Sequence, residues 1–91
     1  MEKIHKQILV KGKVQGVYFR ASTKHTADDL GITGEVRNLP NGSVLITAEG
    51  EESKMEAFIA WCRQGPPFAK VTELIITVAP LQDYKAFDVV H

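Results

Sequence analysis

The sequence predicts an α+β fold in which two helices cover one face of an antiparallel sheet. Three observations carry the prediction: a period-two alternation over residues 4–14, an Asn41-Gly42 pair between two apolar runs, and an apolar stripe at helical spacing from Met55 to Cys62. Together they order the chain β-α-β-β-α-β with a short extra strand at the C-terminal end, two β-α-β halves flanking a hairpin. That order describes a ferredoxin-like sandwich.

The first strand places Ile4, Lys6, Ile8, Val10, Gly12 and Val14 on one side and His5, Gln7, Leu9, Lys11 and Lys13 on the other. One face is therefore expected in the core and the other wet. From about Ala21 to Leu30 the period changes to helical, with Gly31 placed for a left-handed cap. Gly34 to Leu39 reads as a second strand and Ser43 to Glu49 as a third, with Val44, Ile46 and Ala48 facing one way. The Asn41-Gly42 pair predicts a tight hairpin with positive φ at both residues, which makes these strands antiparallel neighbours. Ser53 and Glu56 stand at capping-box spacing before Met55, Phe58, Ile59 and Cys62, and Gly65-Pro66-Pro67 stops this second helix. Val71 to Val78 forms a fourth strand, residues 80–85 a loop, and Ala86 to Val90 a short fifth strand.

Ninety-one residues, 44% of them hydrophobic, suit a single domain over 1–91 with one core. Eleven basic and eleven acidic residues cancel, which argues against a nucleic-acid or membrane surface built on bulk charge. The distribution is uneven: residues 1–26 hold six basic side chains and one acidic. A small anion would be drawn to that part, and a solvated lysine-rich strand is the plainer reading of the same residues. One cysteine excludes an intrachain disulfide, and no apolar run approaches the roughly 18 residues that span a bilayer. A cytoplasmic, monomeric protein without a signal peptide is expected. The three histidines and Cys62 show no ligand spacing, so neither a metal nor another cofactor is expected. Cys62 lies on an apolar stripe, where a core position is the expectation.

The stretch of residues 11–20, Lys-Gly-Lys-Val-Gln-Gly-Val-Tyr-Phe-Arg, leaves an apolar strand and enters a helix. Glycine permits positive φ, and the free amides and dipole of a helix N-terminus favour an oxyanion. Arg20 adds a guanidinium. Phe19 is expected in the core and Tyr18 at the mouth of the loop. Asn38 ends the second strand, and if the first and second strands run side by side it comes within reach of an anion in the loop.

Residues 12–20, then Leu30-Gly-Ile-Thr-Gly-Glu-Val-Arg-Asn38, Asn41-Gly42 with Val44, Gly50, Trp61, Gly65-Pro66, and Ala69 with Val71 resemble the acylphosphatase family along the whole chain. Glu35, Leu45 and the end residues 88–91 depart from its usual pattern. The resemblance implies a ferredoxin-like fold and metal-free hydrolysis of the carboxyl-phosphate bond of a small acyl phosphate. It implies that the amides of Gln15, Gly16, Val17, Tyr18, Phe19 and Arg20, with the Arg20 guanidinium, hold phosphate, and that Asn38 positions the attacking water. Arg20 and Asn38 are then the catalytic pair. An accessory domain that binds acyl or carbamoyl phosphate without turning it over is the alternative. A ferredoxin-like RNA-recognition domain is disfavoured, because strands one and three carry no aromatic residue on which a base would stack.

Overall fold

The computed structural model describes residues 2–91, so Met1 lies outside it. Seven elements follow one another: β1 (Lys3–Lys13), α1 (Phe19–Leu30), β2 (Thr33–Asn38), β3 (Val44–Glu51), α2 (Glu52–Gln64), β4 (Lys70–Ala79) and β5 (Phe87–Val90). The five strands form one sheet in the order β4-β1-β3-β2-β5. β1 and β2 are therefore not side by side, contrary to the expectation from the sequence. Each β-α-β crossover skips one strand: β1 fills the gap between β3 and β4, and β3 fills the gap between β1 and β2, pairing with β1 through Val10↔Val44 and with β2 through Asn38↔Val44.

The sheet is also mixed rather than wholly antiparallel, because β5 pairs parallel with β2. Residues 80–86 carry the chain from β4 at one edge to the free edge of β2 at the other. The chain reverses on the way, and that reversal aligns β5 with β2.

Local boundaries differ from the sequence reading in ways the backbone explains. α1 begins at Phe19, two residues before the apolar period becomes visible, and ends as expected on Gly31, whose left-handed φ of 71° turns its N–H back toward the Ala27 and Asp28 carbonyls. The expected capping box does not form. β3 runs directly into α2 with Glu51 as N-cap, so Ser53 already lies inside the helix, and Glu52 is the acidic residue that meets the positive end of the dipole. The hairpin is longer than a two-residue turn. Leu39-Pro40-Asn41-Gly42 closes through Gly42 N–H to the Leu39 carbonyl at 3.1 Å, Pro40 presets the first turn angle, and only Gly42 takes positive φ. Asn41 instead accepts the Ser43 N–H through Oδ1 at 3.0 Å.

The core lies between the sheet and the helices. Ile8, Val10, Val36, Val44, Ile46 and Ala48 meet Phe19, Ala27, Met55, Phe58 and Cys62, all buried. Each larger aliphatic or aromatic side chain among them contributes about 1.5–3 kcal/mol on burial. Phe58 and Phe87 meet edge to face at 6.1 Å, which brings β5 into the same core.

The opposite face is not simply wet. His5, predicted to face solvent, is buried and joined to the equally buried Glu49 carboxylate, Nδ1 to Oε2, at 2.8 Å. Residues 80–86 strap across the pair: Gln82 and Tyr84 donate their backbone N–H groups to the Glu49 carboxylate, and the Tyr84 ring stacks on His5 at 6.1 Å. Burial alone would raise the Glu49 carboxyl. The Gln82 amide, the His5 side chain and the Tyr84 amide outweigh it and hold the group below its ordinary 4.5.

Candidate active site

The loop between β1 and α1 is held from beneath by Val14 and Val17, which are 1% and 7% exposed. Anchoring apolar side chains two residues before and one residue after the exposed Gly16 leaves the intervening backbone at the surface. Gly16 takes φ 73° and Tyr18 φ 63°, both left-handed. A non-glycine residue there costs about 1–3 kcal/mol. Left-handed residues alternating with extended or helical ones turn successive N–H groups to one side, which makes an anion-binding concavity. Among the described residues, no amide from Gln15 to Arg20 donates to a backbone carbonyl in the turns, loops and caps. The last of these, Phe19 and Arg20, are first-turn amides of α1, whose dipole adds positive potential at the same place.

Arg20, half-buried on the first turn of α1, reaches across to the end of β5. Its Nη1 donates to the Val90 carbonyl at 3.1 Å and lies 3.4 Å from Nδ1 of His91. Asn38 closes the other side from the end of β2. Its Oδ1 is buried and has no hydrogen-bond partner among the described residues, an unpaired acceptor of a kind that folded proteins seldom leave without use. Gly16, Tyr18, Arg20, Asn38, Val89 and His91 line one pocket of about 410 Å³.

The predicted residues thus fall into distinct places. Gly16, Tyr18, Phe19, Arg20 and Asn38 all border the pocket. Tyr18 stands 79% exposed at the mouth, and Phe19 is 2% exposed beneath it, packed against Trp61 at 5.6 Å. The Val17 side chain goes to the core. Gln15 turns its side chain away from the pocket, and Nε2 donates to the Leu39 carbonyl at 2.8 Å and the Ser43 carbonyl at 2.9 Å. Those two bonds tie the loop to the hairpin that carries Asn38.

Sequence reasoning missed the contribution of β5. The Arg20 acceptor is a main-chain carbonyl 70 residues away, which no side-chain pattern encodes, and His91 was set aside for lack of ligand spacing. Cys62 is fully buried as expected, and burial pushes its thiol up to about 12.

The geometry agrees with what the chain is similar to. The acylphosphatase family model matches residues 6–89. The chain belongs to the acylphosphatase family. An acylphosphatase of Methylococcus capsulatus is 53% identical over 74 residues, spanning 81% of this chain and 78% of its own. One from Marinobacter nauticus is 49% identical over 85 residues, spanning 92% of each. The crystal structure of the acylphosphatase from Bacillus subtilis superposes with a TM-score of 0.94 at 36% identity, covering 97% of this chain and 99% of that one. The acylphosphatase fold, two helices on a ferredoxin-like sheet, is therefore shared almost over the full length. The family is one of enzymes, hydrolases of acyl phosphates, and this chain is one of them. Among the described residues no helix is long and apolar enough to cross a membrane.

Proposed function

We propose that the chain hydrolyses acyl phosphates by in-line attack of a water held by Asn38 on a phosphoryl group held by Arg20 and the amides of residues 15–20. The observation that supports it most directly is that Arg20, the loop and Asn38, whose buried Oδ1 has no hydrogen-bond partner among the described residues, border one pocket.

An acyl phosphate carries its own good leaving group, a carboxylate, so the reaction needs neither a strong general acid nor a covalent nucleophile. What it needs is positioning and charge stabilisation. The planar guanidinium holds two phosphoryl oxygens at once, and the loop amides and helix dipole take the others. Charge redistributed in a loose transition state stays compensated throughout. Asn38 Oδ1 accepts one water O–H and aims the oxygen at phosphorus. The water's proton passes to a phosphoryl oxygen of the substrate. Among the described residues no three His, Cys, Asp or Glu side chains gather at metal-binding spacing, and the charge is assigned to Arg20 and the amides.

Phosphate release from acetyl phosphate, measured with a metal chelator present, tests this in the wild type, Arg20→Gln and Asn38→Ala. Loss of one preorganised group typically costs about 10²–10³ in turnover. Both variants are expected to lose at least that much, and Arg20→Gln also to weaken inhibition by inorganic phosphate. Normal turnover in Asn38→Ala, or dependence of the wild type on an added metal, would overturn the assignment.

A further inference from the structure

Beside the phosphate pocket, between α1 and the end of α2, lies a groove of about 810 Å³. Ala21 lines both, so the groove begins where the phosphate pocket ends. One wall is Trp61 with the Pro66-Pro67 turn, and the other carries Ser22, Thr26 and the exposed His25. No Asp, Glu, Lys or Arg lines it, although such residues make up 24% of the chain. Trp61 also packs on Phe19 at 5.6 Å, and Phe19 is the residue on which the phosphate loop enters the helix.

Resting on the acyl-phosphate reading above, we propose that this groove receives the acyl group of the substrate and selects acyl phosphates whose acyl group is uncharged and aromatic or branched. A phosphoryl group in the loop directs its acyl oxygen outward over the first turn of α1, where Ala21 leaves room to pass. An acetyl group occupies little of such a volume. A phenyl ring reaches the indole face and the prolines, where offset stacking and the removal of apolar surface from water both favour it. An acyl group bearing a second carboxylate meets no lysine or arginine in the groove, only the exposed His25, which already faces Asp29 at 3.5 Å, and loses hydration for little return.

Two readouts test the proposal. The first is kcat/KM for benzoyl, acetyl and succinyl phosphate in the wild type, Trp61→Ala and Thr26→Phe. The effect is read as a change between variants, because benzoate is inherently the better leaving group. Benzoyl phosphate is expected to lose about tenfold in both variants, the usual scale for a group of this size in an apolar site. Acetyl phosphate should stay within about twofold, and succinyl phosphate should be served no better than acetyl. Thr26→Phe fills the groove without disturbing Phe19, so it decides the matter if Trp61→Ala fails to fold. The second readout needs no turnover. Trp61 is the only tryptophan, and its emission should shift on adding benzoylphosphonate, a non-hydrolysable analogue, and not on adding acetylphosphonate. Unchanged selectivity in Thr26→Phe with normal acetyl phosphate hydrolysis overturns the groove assignment alone. A wild type that hydrolyses none of the three overturns the parent reading instead.

Discussion

Arg20 is oriented by the main chain of β5: its guanidinium donates to the Val90 carbonyl at 3.1 Å, across 70 residues of sequence. A long arginine side chain samples many rotamers, and a fixed acceptor at its tip removes most of them before a ligand arrives. The guanidinium is therefore aimed before any ligand arrives.

Deleting Val90 and His91 removes that acceptor at the cost of one ladder pair, Arg37↔Val90. Hydrogen bonds to charged groups contribute about 1.5–3 kcal/mol, so the truncated protein is expected to bind inorganic phosphate at least about tenfold more weakly with its fold intact by circular dichroism. His91→Gln keeps the carbonyl and loses only the exposed 3.4 Å contact. Such contacts contribute under about 1 kcal/mol, so its inhibition constant for phosphate should move far less. Equal effects in the two variants would place the orienting role on the imidazole.

Gln15 couples the two halves of the site. Replacing it by alanine leaves the Leu39 and Ser43 carbonyls without their side-chain donor and frees the loop from the Asn38 hairpin. A loss of about 1–3 kcal/mol in urea unfolding is expected, together with a fall in kcat larger than the rise in KM for acetyl phosphate. A stability loss with unchanged kcat would show that the tie serves folding only.

The buried His5–Glu49 pair is expected to make stability fall in acid. Glu49 sits below its ordinary 4.5 in the folded chain, so the folded state binds the proton less readily than the unfolded one. Its contribution is complete above about 4.5 and is lost as pH falls through the lower folded value. Urea midpoints should therefore decline in that acid range. Glu49→Gln should cost about 3–5 kcal/mol at neutral pH, because it leaves His5 and the strap amides without their charged partner, and should decline less steeply in acid. A variant with the same acid slope as the wild type would remove Glu49 from the account.

Cys62, fully buried with its thiol raised to about 12, is expected to resist a thiol reagent at pH 8 in the native state and to react promptly in urea. Labelling under native conditions then reports opening of α2 from the sheet, and addition of inorganic phosphate should slow it if phosphate binds the folded site. Fast native labelling would contradict the packed position.

Much of this protein is legible in its residues taken in order. The alternation of Ile8 and Val10, the stripe from Met55 to Cys62, the Pro40-Asn41-Gly42 turn and the Gly31 cap each encode a local conformation, because backbone preference and the period of burial act over a few residues. The loop of residues 11–20 stands out by its glycines and Arg20, whereas Asn38 joins it only through the expected placement of the strands and the family resemblance. Only the tertiary structure decided what lies next to what. It inserted β3 between β1 and β2, turned β5 parallel, buried His5 against Glu49 under residues 80–86, and gave Arg20 a carbonyl and Gln15 a hairpin to hold. The physical reason is common to all of these. Whether a polar face is wet depends on what distant chain crosses it, and a main-chain acceptor has the same chemistry at every residue, so its use leaves no mark in the order of side chains.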